Sequence, residues 1–187
     1  PPDRCIAVVA EAMQAVSRGE VLAPLRSIVP LASPNAMGIM PGAMLGQGVF
    51  GIKVLGLCPG NGALNLPSHA GLVVVFDARD GAPVAVLESD SLTAIRTAAA
   101  SAVATRALAR PGGEVLGLLG AGHQALWHVR ALMQVMPLRR LQVWSRSRAS
   151  AERLLARLDL PASIAVAIAD DARSAVAGAD VVCTVTA

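Results

Sequence analysis

Glu114-Val115-Leu116-Gly117-Leu118-Leu119-Gly120-Ala121-Gly122-His123-Gln124-Ala125 is the stretch that decides the fold of this 187-residue chain. An apolar run empties into a glycine turn, and apolar residues at helical spacing follow, so the segment reads as strand, turn and helix. In that frame Gly120 permits the tight turn, Gly122 lets the backbone approach a pyrophosphate, and Ala125 is small enough for the helix to pack on the strand. The helix N-terminus adds N–H groups and a partial positive charge. Glycine turns also join strands to helices for steric reasons alone, so the motif takes its meaning from the strand before it and the helix after it. Gly120, Ala121, Gly122, His123 and Gln124 are the expected dinucleotide-binding residues of this turn.

Downstream, the spacing predicts a helix over 123–135, a strand over 141–145, a helix over 148–158, a strand over 164–169, a short helix over 171–177 and a strand over 180–185. Alternation of this kind implies a parallel sheet with helices on its faces, the Rossmann-type α/β class. Such sheets usually have about six strands. The chain reaches Thr186-Ala187 at the tip of the fourth, and its first residue is Pro, so a fragment or truncated product is expected. Upstream, a helix over 4–18 stops at Gly19. Short β-rich segments follow at 25–31, 39–44, 49–57, 71–77 and 83–87, with Asp80-Gly81 as a hairpin turn. A long helix over 91–109, capped by Asp90 or Ser91, ends at Pro111-Gly112-Gly113. That segment is the expected boundary between an α+β domain over 1–110 and a partial dinucleotide-binding domain over 111–187.

A 54% hydrophobic content is enough for a real core. No apolar stretch of membrane-spanning length runs without Gly, Pro or charge, and no basic-then-apolar leader opens the chain, so a soluble cytoplasmic protein with no membrane partner is expected. Cys5, Cys58 and Cys183 are odd in number and widely spaced, which supports neither a disulfide framework nor a metal site and suggests buried thiols. The net charge of +3 comes from scattered arginines, and two Phe, two Trp and no Tyr offer no platform for stacking bases. Nucleic acid is not an expected partner.

Fifteen of the sixteen basic residues are arginine, and the exception is Lys53, inside Val49-Phe50-Gly51-Ile52-Lys53-Val54-Leu55. An arginine cannot usefully lose its proton, whereas a lysine in an apolar pocket can work as an acid or base. The residues alone leave two readings open: a catalytic lysine, or a chance survivor of compositional bias whose head snorkels from a strand end.

Thr93-Ala94-Ile95-Arg96-Thr97-Ala98-Ala99-Ala100-Ser101, followed by Gly120-Ala121-Gly122-His123-Gln124-Ala125, resembles the ornithine cyclodeaminase/μ-crystallin family. Gly51-Ile52-Lys53-Val54, Leu66-Pro67-Ser68-His69-Ala70-Gly71 and the turn from Asp77 to Pro83 extend the resemblance over nearly the whole chain. It implies a homodimer in which an α+β substrate and dimerisation domain stands beside a Rossmann domain, acting on amino acids and cyclic imino acids by hydride transfer. By the same resemblance Arg26 and Arg96 grip the substrate carboxylate, a role suited to a guanidinium that makes two parallel bonds. Lys53 matches the family's proton-transfer lysine. Arg96, Thr97, Thr184, Val185 and Thr186 join the expected cofactor contacts. Cyclodeaminases typically carry threonine where this chain has Ser68, and Ser68-His69-Ala70-Gly71 resembles the family's imine reductases. Ser68 and His69 are therefore expected to assist catalysis at the ring. The acidic residue that cyclodeaminases use lies beyond the last residue of this chain.

NAD-specific folds place an Asp or Glu at the end of the second strand to bind the adenosine ribose. No acidic residue occurs between Glu114 and Glu152, and the second strand ends in Ser145-Arg146-Ser147. Hydroxyls and a guanidinium suit a 2′-phosphate, and μ-crystallin-like members hold a similar triplet there. NADP(H) is expected over NAD(H). The expected activity is reduction of a cyclic ketimine carboxylate, pyrroline-2-carboxylate or piperideine-2-carboxylate, to proline or pipecolate. Ornithine cyclodeamination, an alanine or opine-type dehydrogenase, and a non-catalytic NADPH-binding protein or inactive fragment are the alternatives.

Overall fold

A computed structural model describes residues 2–64 and 66–186. The chain forms two compact units, Glu11–Thr93 and the pair Pro1–Ala10 with Ala94–Ala187. Their division falls at Thr93/Ala94, inside a helix, rather than at Pro111-Gly112-Gly113. The reason is packing. Helix α1 (Pro2–Ser17) contributes Ile6 to a cluster with Ala98, Ala99 and Ala102 of α2 (Ser89–Leu108) and with Ala131. Four alanines at one contact let the helices approach closely, so the second part of α2 belongs to the C-terminal unit.

The unit Glu11–Thr93 is built on an antiparallel sheet in the order β1 (Ser27–Pro30), β2 (Ala36–Met44), β3 (Val49–Leu57), β4 (His69–Asp77), β5 (Pro83–Glu88). Strand β3 has the bounds expected from its apolar run between Gly48 and Cys58-Pro59. The β4–β5 turn is the expected one: Gly81 takes a φ of 76°, and Asp80 Oδ1 accepts from the Ala82 N–H at 2.9 Å. Register fixes the faces. Met40, Lys53, Val73 and Leu87 lie directly opposite one another across four strands, and His69, opposite Leu57, shares that face because side chains alternate with period two. The other face carries Phe50 stacked on Phe76 at 5.0 Å. Helix α2 follows β5 without a loop. Its start differs from the expected Asp90 or Ser91 cap: the Glu88 carboxylate accepts from the backbone N–H groups of Asp90 and Ser91. Glu88 ends the strand at the N-cap position, and its longer side chain folds back over the first turn.

The C-terminal unit holds β6 (Val115–Leu119), α3 (His123–Leu132), β7 (Arg140–Trp144), α4 (Arg148–Arg157), β8 (Ala165–Ile168), α5 (Ala172–Val176) and β9 (Val181–Thr184). The strands are parallel in the order β8-β7-β6-β9, the arrangement of the first strands of a doubly wound sheet. Leu116, Leu118, Leu141 and Val143 are fully buried in its core, each burial contributing roughly 1.5–3 kcal/mol before entropy. A Cβ on Gly117 would stand 2.6 Å from the Ala175 carbonyl oxygen, so glycine there is what lets α5 lie on β6. Cys183 is buried, which pushes its thiol up to about 11. Cys5 and Cys58 are half-buried rather than buried. Among the described residues no helix is long and apolar enough to cross a membrane.

Asp180, ahead of β9, ties the unit's first strand down. Its Oδ2 accepts from the backbone N–H groups of Glu114 (2.8 Å) and Val115 (3.0 Å), and Arg110 lies 3.2 Å from Oδ1. The bonds from Val115 and Glu114, with the Arg110 charge, hold its carboxyl below its ordinary value of 3.8. A depressed folded value means that the stabilisation is complete above the ordinary value and is lost as pH falls through the lower one. Asp180→Asn is therefore expected to lower Tm by an amount that is constant from neutral pH down to about pH 5 and that shrinks below about pH 3.8. Thermal melts of both proteins across that range check it.

Candidate functional site

At the end of β6 the chain turns through Gly120, whose φ of 108° lies in the region that favours glycine. Its N–H donates to the Trp144 carbonyl at 2.8 Å, and a Cβ on it would meet the Val185 carbonyl oxygen at 2.7 Å. Gly122 is different. It occupies the N-cap of α3 in ordinary extended geometry, adds no side-chain cap, and a Cβ built on it meets nothing within 4 Å. Open space over the N-terminus of α3 is what close approach of an anion requires. A cleft of about 470 Å³ lies there, lined by residues 120–122 and 144–146 with Ser150, Val185 and Thr186. Ala125, fully buried in the first turn of α3, fills the small-residue position.

The other expected cofactor residues are distributed around this cleft and away from it. His123 and Gln124 open α3, with the Gln124 Oε1 buried and without a hydrogen-bond partner among the described residues. The Ser147 hydroxyl caps α4 by accepting from the Ser150 N–H at 3.3 Å, while Ser145 and Arg146 face a neighbouring recess of about 390 Å³. That recess also contains Arg148, itself 3.4 Å from Glu152, and Asp170. The stretch 115–151 lacks acids, yet the tip of β8 brings one alongside Arg146. Thr184 closes β9. Arg96 is exposed on α2, and Thr97 Oγ1 is buried without a partner among the described residues.

The unit Glu11–Thr93 assembles a second group on the Lys53 face of its sheet. Lys53 is half-buried, and its Nζ donates to Thr93 Oγ1 at 2.5 Å. That hydroxyl in turn donates to the Ser89 carbonyl at 2.5 Å. Its proton is thus committed to the helix, and its oxygen is set to accept from Lys53. His69, at the start of β4, has Nε2 3.1 Å from Asp90 Oδ1 and Nδ1 3.3 Å from Ser68 Oγ. Ser68 is held at the backbone, where its carbonyl accepts from the Cys58 N–H at 2.7 Å. Arg26 is exposed one residue before β1. Thr93 and Asp90 were absent from the expected set, although their spacing of three on the first turn of α2 puts both on one face.

The chain belongs to the ornithine cyclodeaminase/mu-crystallin family, whose model matches residues 2–187. It is 34% identical over 169 residues to the mouse (Mus musculus) ketimine reductase mu-crystallin, a match that covers 90% of this chain and 53% of that protein. The solved structure of Thermococcus litoralis Δ1-pyrroline-2-carboxylate reductase in complex with NADH and L-proline superposes with a TM-score of 0.91 at 28% identity, over 98% of this chain and 57% of that one. An archaeal alanine dehydrogenase dimer with bound NAD matches with a TM-score of 0.91 at 25% identity, over 100% and 56%. The chain thus spans about half the length of the relatives it matches.

Proposed function

We propose that the protein is an NADP(H)-dependent reductase of cyclic ketimine carboxylates, yielding the cyclic L-amino acid. The observation that carries this reading is the Lys53 ammonium, held by Thr93 on an otherwise apolar row of the sheet, on the face that also presents His69. The family's reductases of pyrroline-2-carboxylate and of ketimines support the same chemistry. Open space at Gly122 and the cleft over the N-terminus of α3 fit a dinucleotide. When bound, the nicotinamide supplies hydride to the imine carbon. Lys53 keeps the imine nitrogen protonated through Nζ, since a protonated imine is the better acceptor. Arg26 and Arg96 bind the carboxylate, and Ser68 with His69 orients the ring. Arg146 and Ser145, in the recess at the tip of β7, favour the 2′-phosphate of NADP(H) over NAD(H).

Calorimetric titration with NADPH and with NADH, followed by NADPH oxidation assays with pyrroline-2-carboxylate and piperideine-2-carboxylate, tests the reading. Tighter NADPH binding and imine-dependent oxidation are expected. Ammonia release from ornithine without net cofactor consumption would replace it with cyclodeamination.

The same reading includes a homodimer. The sheet face opposite Lys53 exposes Phe50, Leu72 and Val86 at 39%, 52% and 61%, apolar side chains that association would cover. Val86→Lys places a charge on this face at the edge strand β5, where Val86 pairs with Val74. Light scattering is expected to show twice the chain mass for the wild type and a single chain mass for the variant. A dimer that survives the substitution would move the interface elsewhere.

A further inference from the structure

We propose that Asp90 is a positioning residue that fixes His69 in one tautomer and so makes Ser68 a proton donor to the substrate nitrogen. The inference rests on the reductase reading. An ionised carboxylate only accepts hydrogen bonds, so Asp90 Oδ1, 3.1 Å from His69 Nε2, requires a proton on Nε2. The neutral ring then offers Nδ1 as an acceptor, and Ser68 Oγ lies 3.3 Å away to fill it. When the ring gains a second proton, the polarity of that last bond reverses. Nδ1–H then donates to Ser68 Oγ, and the serine O–H is released toward whatever lies in front of it. One proton enters the ring at Nδ1, and one leaves through the serine hydroxyl as the amine left by hydride transfer to the protonated imine becomes the ammonium of the product. No group other than a solvent proton is consumed.

Three features suit this arrangement. Glu88, not Asp90, caps α2, so the Asp90 carboxylate is directed at His69 rather than at the helix N–H groups. Ser68 is held by its carbonyl, and Pro67 by the Asn61 side chain at 2.8 Å, so the hydroxyl starts from a fixed backbone. Asp90 and Thr93 stand three residues apart on α2, a spacing that brings their Cβ atoms to about 5–6 Å. One helical turn therefore anchors His69 through Asp90 and Lys53 through Thr93. Two proton carriers tied to a single turn can flank a small ring, with Lys53 holding the imine nitrogen protonated before hydride arrives and Ser68 protonating the resulting amine afterwards.

The test compares the wild type with Asp90→Ala, Asp90→Glu and His69→Gln. Nitrogen-15 spectra of the imidazoles, with His69 assigned by its loss in His69→Gln, are expected to show the Nε2–H tautomer in the wild type and in Asp90→Glu, and a mixture in Asp90→Ala. A wild-type ring that is already a mixture, or one unaltered in Asp90→Ala, overturns the proposal whether or not the protein turns over. In the imine assay kcat is expected to fall about 100-fold in Asp90→Ala, with KM within about twofold, and to recover most of that loss in Asp90→Glu. A fall confined to KM would make Asp90 a structural residue. A wild type that reduces no imine defeats the reductase reading but leaves the tautomer result to stand or fall alone.

Discussion

Lys53→Met is expected to lower kcat/KM for imine reduction by about 1,000-fold while leaving NADPH affinity within about twofold of the wild type. The residue sits in a row with Met40, Val73 and Leu87, so a methionine enters an apolar neighbourhood at nearly unchanged volume. Among the interactions the substitution removes is the hydrogen bond from Nζ to Thr93 Oγ1. Thr93 keeps its bond to the Ser89 carbonyl, and α2 keeps its Glu88 cap. A loss of rate at a Tm close to that of the wild type then reports chemistry. Arginine at this position should not rescue. A planar, permanently charged guanidinium is longer than the ammonium and cannot exchange its proton. Steady-state kinetics of both variants, with NADPH titrations beside them, check the expectation, and unchanged turnover in Lys53→Met would sink the catalytic assignment.

What sequence reading can reach here follows from distance along the chain. Strands β3 and β6 match their expected bounds because local breakers stand at each end, Gly48 and Cys58-Pro59 around β3 and Glu114 and Gly120 around β6. The glycine turn was legible for the same reason, its roles depending on residues within one strand–turn–helix segment. Partners far apart in sequence were not legible. Thr93 is 40 residues from Lys53, and nothing in local periodicity indicates that a helix begun by Glu88 will lay its first turn against β3. Asp90 was read as a cap because Asp favours that position. The competing carboxylate of Glu88, two residues before Asp90, won because the strand runs into the helix without a loop. Asp170 was overlooked for a similar reason. The search for an acidic residue ended with the second strand, whereas a parallel sheet lines up successive strand tips and sets the end of β8 beside the end of β7. The unit boundary likewise depends on alanines of α2 meeting Ile6, a contact between segments some ninety positions apart.

The two glycines of the turn should separate folding from binding. Gly120→Val forces a side chain into a φ of 108° and within 2.7 Å of the Val185 carbonyl oxygen. Backbone atoms on both sides of the clash leave little room to yield. The left-handed conformation alone costs about 1–2 kcal/mol for a non-glycine residue, and displacing the end of β9 from Leu119, where the Val185 N–H donates at 2.8 Å, adds to it. A large drop in Tm and loss of dinucleotide binding are expected together. Gly122→Val meets no such obstacle. Its backbone is in ordinary extended geometry, and the new side chain touches no protein atom at Cβ. Tm should stay within a degree or two, since surface changes without a named defect usually cost less than about 0.5 kcal/mol. The added carbons nevertheless occupy the space through which a pyrophosphate reaches the N-terminus of α3, so affinity for NADPH should fall about 100-fold, roughly 2.7 kcal/mol. Calorimetry and thermal melts on the pair decide the matter. A Gly122→Val protein that binds NADPH normally would show that the open space over α3 is not where the phosphates lie, and the cleft would lose its claim to be the dinucleotide site.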